Sequence, residues 1–354
     1  MTKFAKFPLL LITGLLFLLT GCATPQLPKV FYPAKPAPPR IQFLTSFSSE
    51  YDLKQGGFSR MLSEQVGDKG LALMRARDAA FYGDSFYIAD IGYAGLVRFN
   101  MQTEKASLLE YANPSIVKPM GIAIDKSGIK YVADIGKKQI LAIGPDNKPL
   151  KEYKQPEGML PNDIAVDDNY LYVVEVSKNL LHIIDKKSGA VVKTFDKESG
   201  LAWPDSVAIT PDGNIAVLNM LTFKLIKFSP EGQKLSEFGQ LGDTRGTFSR
   251  PKGMAIDHDG RIYVLDAAFE NLQLFNPQGK LYMALAKGGV EPQDLMLPSS
   301  VSISYEAAPF LQRFAAPGFK IEYVIIVSNQ YGPSKINLYG FGHMAGVDYS
   351  KYPE

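Results

Sequence analysis

Asp257, His258 and Asp259 stand side by side within "PKGMAIDHDGRIYVLD", residues 251–266. A carboxylate, an imidazole and a second carboxylate have the donor types for a metal site or for general acid–base work. The flanking residues point elsewhere. Met254-Ala255-Ile256 and Ile262-Tyr263-Val264 read as two short strands. An Asp-x-Asp-Gly tip between strands supplies side-chain-to-backbone bonds and a residue that accepts positive φ. Equivalent tips recur as Asp125-Lys126-Ser127-Gly128, Asp167-Asp168-Asn169 and Thr210-Pro211-Asp212-Gly213. His258 therefore stands where Lys, Asp and Pro also serve, and reads as a turn residue. His182, in "NLLHIID", reads as a packed or edge strand residue, and His343 has no evident acidic or histidine companion. Three scattered histidines do not make a zinc site.

The elements around that turn repeat along the chain. "RPKGMAIDHDGRIYVLD" has counterparts in "KPMGIAIDKSGIKYVAD", "LPNDIAVDDNYLYVVE" and "WPDSVAITPDGNIAVLN". A degenerate first copy is "RARDAAFYGDSFYIAD", and a last one begins "LPSSVSIS" and resumes at "IEYVIIVSN". Each copy is a proline-containing approach, an alternating strand, a polar turn and a second β-branched strand. A third strand follows, and a weaker fourth closes most units. The second strands end at Asp90, Asp134, Glu175, Asn219, Asp266 and Asn329, at spacings of 44, 41, 44, 47 and 63 residues. Four strands per 40–50 residues, repeated six times, predict an all-β fold: a six-bladed β-propeller with four-stranded blades.

The proline-x-glycine approach, the Asp-x-x-Gly turn and the Tyr-Val-x-Asp strand resemble NHL-repeat propellers over about residues 75–340. That resemblance implies the fold and leaves the activity open, since the architecture hosts many functions. Because the last copy supplies only three strands, "RIQFLTSF" at 40–47 is expected to complete it beside Ile336 to Tyr339 and close the ring. The domain reading is a leader over 1–21, a lipidated cysteine with a proline-rich linker over 22–40, the propeller over 41–345 and a tail over 346–354.

Strand direction assigns the candidate site. Approach residues and second-strand ends share one face, opposite the polar turns. Asp90, Asp134, Glu175, Asn219, Asp266 and Asn329 are expected around the central opening as a candidate ligand or ion ring. Arg77, Asn162, Asp205 and Lys252 lie nearby as face residues. Clustered carboxylates can hold a cation such as calcium, or cap backbone amides where their strands end. "LPNDIAVDD" and "WPDSVAI" are similar to metal-site segments of gluconolactonase-type propellers, which implies Asn162 and Asp205 as ligands. Arg77-Asp78 stands where that family carries a ligand glutamate. "SYEAAPFLQRFAAPGF" at 304–319 carries Phe310, Phe314 and Phe319 either into an exposed docking loop or back onto the propeller. Residues 56–74 read as a connector with a short helix.

The N-terminus sets the expected compartment. Lys3 and Lys6 precede an apolar run over 9–19, too short to span a bilayer comfortably. It leads into Leu19-Thr20-Gly21-Cys22, which resembles the lipobox of bacterial lipoproteins and implies acylation of Cys22. Each buried methylene of such a chain contributes about 0.8 kcal/mol to anchoring. Cys22 is the one cysteine of the sequence, so no internal disulfide and no covalent haem attachment of its own is available. Ala23 after the cysteine favours the outer membrane by the same resemblance. Loss of the leader with its two lysines takes the net charge from +2 to zero, and no basic stripe marks a nucleic-acid partner. The sequence thus predicts an outer-membrane lipoprotein of the cell envelope, without a cofactor of its own, that binds a protein partner. By resemblance, some such lipoproteins occur near multihaem cytochromes. The alternative is a metal-dependent lactonase or hydrolase of the gluconolactonase type.

Overall fold

The computed structural model describes residues 29–53, 70–109, 111, 115–154 and 158–352. The lipobox and most of the 56–74 connector lie outside the described residues. In chain order the first strands are β1 (Phe31–Tyr32) and β2 (Ile41–Phe47). Blade one follows with β3 (Ala76–Tyr82), β4 (Ser85–Asp90), β5 (Gly95–Asn100) and β6 (Lys105–Leu109). Blade two is β7 (Pro119–Ile124), β8 (Lys130–Asp134), β9 (Gln139–Ile143) and β10 (Pro149–Lys154). Blade three is β11 (Asp163–Val166), β12 (Tyr170–Glu175), β13 (Leu180–Asp185) and β14 (Val191–Phe195). Blade four is β15 (Pro204–Ile209), β16 (Ile215–Asn219), β17 (Lys224–Phe228) and β18 (Lys234–Phe238). Blade five is β19 (Pro251–Ile256), β20 (Ile262–Asp266), β21 (Asn271–Phe275) and β22 (Leu281–Leu285). Blade six has β23 (Pro298–Ser304), β24 (Phe319–Asn329) and β25 (Ile336–Met344).

The ring closes as the strand count requires. β2 pairs antiparallel with β25, from Ile41 opposite Phe341 to Phe47 opposite Ile336. The sheet order of blade six is β1-β2-β25-β24-β23. Part of the proline-rich linker expected over 22–40 joins the sheet. Phe31 and Tyr32 add a short fifth strand, and their rings pack edge-on against Phe319 and Tyr339. Two aromatic residues bury enough surface to bring this part of a proline-rich stretch onto the sheet.

Blade-on-blade packing explains the sequence of the strands. The second strands β4, β8, β16 and β20 are buried at every position. Each is covered on both faces by neighbouring blades, so it reads as a continuous apolar run and not as an alternating one. Outer strands such as β10 and β18 show exposed positions instead. The core is correspondingly divided into six clusters, one at each blade interface. β2 serves two of them: Leu44 and Phe47 join the interface with blade one, while Ile41 and Phe43 join the interface with blade five.

The insertion of blade six folds inward. Ala308–Leu311 forms the short helix α1, followed by a 3-10 turn over Gln312–Phe314. Phe319 is buried, and Phe310 and Phe314 pack partly buried against the same core. The exposed-loop option for these three aromatics is thereby overturned, because the hydrophobic surface of blade one lies within their reach.

Candidate functional site

The inner strands of all six blades line one channel, a cavity of about 180 Å³. Two ring positions shape it. The first residue after the approach proline (alanine in blade one) is Arg77, Met120, Asn162, Asp205, Lys252 or Ser299. The second is Asp78, Gly121, Asp163, Ser206, Gly253 or Ser300.

The second position staples each blade to the next. Asp78 Oδ2 accepts the Ile122 amide of blade two at 2.8 Å. Asp163 Oδ2 accepts the Ser206 hydroxyl at 2.7 Å and the Val207 amide at 3.0 Å. Ser206 Oγ accepts the Met254 amide at 3.2 Å, and Ser300 Oγ donates to Asp78 Oδ1. Where the second position is glycine, backbone takes the space instead. A Cβ on Gly121 would stand 3.1 Å from the Cα of Asp163, and one on Gly253 2.9 Å from the Cα of Ser300. The repeat therefore admits only a short acceptor or no side chain here.

Asp78 and Asp163 flank Gly121, and both carboxyls are pushed up. Burial is the main cause for each, and for Asp163 the neighbouring Asp78 charge adds to it, raising it to about 7. The pair titrates as a unit. A folded-state carboxyl that holds its proton above its ordinary range stabilises most at low pH. Stability is lost as pH rises from about 4, where the unfolded carboxyl ionises, through about 7. Asp163→Asn, which keeps an acceptor for Ser206 and Val207 but never ionises, should flatten that loss. Near pH 8 it should melt above the parent by about 2–4 °C for each kcal/mol relieved. Parallel melting-versus-pH curves for the two proteins would refute this assignment.

The first position carries the open chemistry. Lys252 Nζ reaches Asp205 Oδ1 at 3.2 Å, and Asn162 Nδ2 donates to the Asp205 carbonyl at 2.8 Å. Arg77 Nη1 donates to the Ser299 carbonyl at 2.6 Å. Asp205 is 3 % exposed, and its Oδ2 is buried without a hydrogen-bond partner. Of the four residues predicted near one another, these bonds join Asn162, Asp205 and Lys252, whereas Arg77 is bonded to blade six and not to the other three.

The predicted ring of second-strand ends is arranged differently. Asp90, Asp134, Glu175, Asn219, Asp266 and Asn329 are at most 1 % exposed and do not line the channel. They sit one strand outward from the axis, with their side chains turned onto approach and turn amides. Asp90 accepts Met74, Arg75 and Gly92 amides, and Asp134 accepts Val117, Lys118 and Gly136 amides. Asp266 accepts the amides of Ser249, Arg250, Ala268 and Phe269. Asn219 and Asn329 each accept one approach amide and donate to a carbonyl. Glu175 accepts the Leu160 amide and meets His182 Nε2 at 3.0 Å. Burial opposes ionisation of Glu175, but the bonds from His182, Leu160 and Lys178 outweigh it and hold its carboxyl below the usual range.

The histidines are placed as follows. His258 stacks on the Tyr305 ring at 3.8 Å, on the face opposite the channel mouth. Asp257 is 1 % exposed and accepts the amides of Asp259 and Arg261 and the Tyr323 hydroxyl. His343 has an acidic companion that the sequence does not show, since Glu322 on β24 lies 2.9 Å from its Nδ1 across the β24–β25 ladder. Among the described residues, no group of three or more His, Cys, Asp or Glu side chains could hold a metal ion. Of the gluconolactonase-like positions, Asp205 is paired with Lys252 and its carbonyl accepts Asn162 Nδ2, while at the Arg77-Asp78 position Arg77 is bonded to the Ser299 carbonyl and Asp78 accepts the Ile122 amide.

No protein-family profile and no curated protein matches this sequence. Solved structures do match in three dimensions. A catalytically inactive virginiamycin B lyase from Staphylococcus aureus with quinupristin is 15% identical over 77% of this chain and 82% of that one, at a TM-score of 0.54. Hydrazine synthase of Kuenenia stuttgartiensis is 12% identical over 79% and 98%, at 0.53. A Bacteroides thetaiotaomicron protein of unknown function is 14% identical over 85% and 75%, at 0.58. The chain is a six-bladed β-propeller. At these identities the likeness concerns the fold alone, and the propeller's chemistry must be argued from its own channel and faces. Asp163, Ser206 and Ser300 were not marked by the motif reading. Their signal is visible when the copies are aligned on the approach proline, where the second position is always Asp, Ser or Gly.

Proposed function

We propose that this chain is a lipid-anchored propeller of the cell envelope that works as a protein-binding scaffold through the face where its inner strands begin. The observation that carries this reading is an apolar ring on that face. Met74, Val117, Trp203 and Leu297 are exposed just before the inner strands. Leu221 and Tyr331 are exposed just after second strands, and Leu241 and Val290 on the longer interblade loops. Trp203 is the one tryptophan of the sequence. It and Leu297 hold positive φ of 49° and 45°, which is costly for bulky side chains. Their amides donate to Asn179 Oδ1 and Glu270 Oε1 of the preceding blades, which fixes the outward pose.

The charge on this face specifies the partner's chemistry. Arg75, Lys118, Lys137, Lys138, Lys178, Arg245 and Arg250 are exposed on this face against the exposed carboxylates of Glu198, Asp243 and Glu291, so cations predominate around the apolar residues, whereas the opposite face mixes Asp168, Asp212, Glu231 and Asp259 with Lys126, Lys148 and Lys187. Apolar anchors within a basic rim suit a protein surface with an apolar centre and acidic surroundings. An envelope partner such as a multihaem cytochrome remains the reading that the lipoprotein resemblance supports.

Comparison of the anchored protein with a Trp203→Glu, Leu221→Glu variant tests the proposal. Capture from envelope extracts should yield a reproducible acidic partner whose recovery falls at least tenfold in the variant, with the melting temperature within a few degrees of the parent. A central Trp commonly carries 2 kcal/mol or more of an interface, about thirtyfold in affinity. Equal recovery from both proteins would overturn the docking face. Loss of binding to anionic lipid vesicles, with no protein partner affected, would assign the face to the membrane surface instead.

A further inference from the structure

Blade three carries an arrangement that the other blades lack. Glu175 ends β12, His182 stands on β13 and Thr194 on β14, so three neighbouring strands contribute one side chain each. The register pairs His182 with Val173 on one side and with Thr194 on the other. Glu175, two residues beyond Val173, lies on the same face of the sheet. His182 Nε2 is 3.0 Å from Glu175 Oε2, and its Nδ1 is 3.1 Å from Thr194 Oγ1. At the position of His182 the third strands of the other blades carry Val97, Leu141, Ile226, Gln273 and Asn337. None of these five side chains takes up a proton as imidazole does.

The buried acid fixes the direction of this chain of bonds. Glu175 is 1 % exposed, and its Oε1 is held by the Leu160 amide at 2.9 Å and by Lys178 Nζ at 3.2 Å. Its ionised carboxylate is an acceptor only. Neutral His182 must then carry its proton on Nε2, which leaves the Nδ1 lone pair to accept the hydroxyl proton of Thr194. A hydroxyl, a base and an orienting carboxylate in this order form an activated nucleophile. Thr194 is exposed, so an acyl donor can reach it. β14 is the outer strand of blade three, and alternate amides on such an edge lack a ladder partner and can face an oxyanion. The geometry points to Thr194 as a nucleophile for acyl transfer from activated esters, with His182 as its base and Glu175 as a positioning residue. Thr194 Oγ1 bonds to the acyl carbon as its proton passes to His182 Nδ1. The bond to the leaving group then breaks, the leaving group takes that proton, and an O-acyl threonine remains. Water, deprotonated in turn by His182, releases the acid and restores the hydroxyl. This site does not depend on the docking face and stands or falls separately from it.

The test treats the full-length protein in mild detergent with p-nitrophenyl acetate and follows p-nitrophenolate release together with peptide masses. The parent should acquire an acetyl group on Thr194 that hydroxylamine removes, since hydroxylamine cleaves esters and leaves acetyl-lysine amides intact. Thr194→Ser should keep this label, and Thr194→Val should lose it. His182→Gln should slow acetylation of Thr194 by about a hundredfold or more, as expected for loss of a general base. In Glu175→Gln the new amide can donate to Nε2 and favour the wrong tautomer, which should slow the reaction by about tenfold or more. Acetylation of surface lysines should be the same in every variant. Because Thr194 is exposed, its two variants report even where Glu175→Gln fails to fold. Absence of an O-acetyl group on Thr194 would overturn the proposal. So would equal rates of its formation in the parent and in folded His182→Gln.

Discussion

A chain lacking residues 41–47 should lose its cooperative fold, not merely a frayed edge. Ile41, Phe43, Leu44 and Phe47 are each 3 % exposed or less. Burial of each contributes about 1.5–3 kcal/mol, so removing all four approaches the 5–15 kcal/mol that holds a typical domain together. The loss is also topological. Phe47 packs against Phe86 and Phe99 of blade one at 5.5 and 4.9 Å, while Phe43 packs on Tyr339 at 5.6 Å. Without β2, blade six exposes the edge of β25 and the ring loses its seal at one seam. Phe47→Ala is the graded version and should cost about 3–5 kcal/mol. Urea denaturation of the deletion, of Phe47→Ala and of a protein lacking β1 alone should rank them in that order of severity. A deletion with the parent's midpoint would show that β2 is an accessory strand.

The same seam shows why the fold could be read from sequence and much of the site could not. Blade boundaries are set by period. A proline approach, a turn and a second strand recur at nearly constant spacing, and one missing strand points to the isolated "RIQFLTSF". Side-chain direction is not periodic information of that kind. Asp266 and its counterparts end strands that finish on the channel-mouth face, and position alone made them a ring around the axis. Their distance from the axis depends on which strand of the blade is innermost. A carboxylate within reach of unpaired approach amides turns to them and away from the solvent-filled centre. Conversely, Asp163 looks like an ordinary approach residue in "LPNDIAV". Its raised carboxyl arises from burial and from Asp78, which is 85 residues away in sequence and separated from it by one blade. His343 is the smaller case of the same kind, since Glu322 lies 21 residues before it and is brought close only by the β24–β25 register.

Asp266→Ala separates the two roles that a carboxylate at the end of a second strand can have. In the parent, Asp266 is fully buried and accepts four amides, from Ser249 and Arg250 on one side and Ala268 and Phe269 on the other. Bonds to a charged acceptor contribute about 1.5–3 kcal/mol each and are not additive, so truncation should cost roughly 3–5 kcal/mol. For a chain of this size that is a fall in melting temperature of roughly 6–20 °C. Asp266→Asn should be milder, because Asn219 and Asn329 already stand at this position in blades four and six. There, one amide oxygen serves the approach loop while Nδ2 donates to the carbonyl of Gly200 or Ser334. Calcium distinguishes a cap from a ligand. If Asp266 organises the two loops, parent and variant should melt at the same separation in calcium and in chelator. A calcium-dependent rise in the parent that disappears in Asp266→Ala would mean that the carboxylate leaves its amides to take up the ion. The loop geometry would then have to change with it, because all four amides would lose their acceptor together.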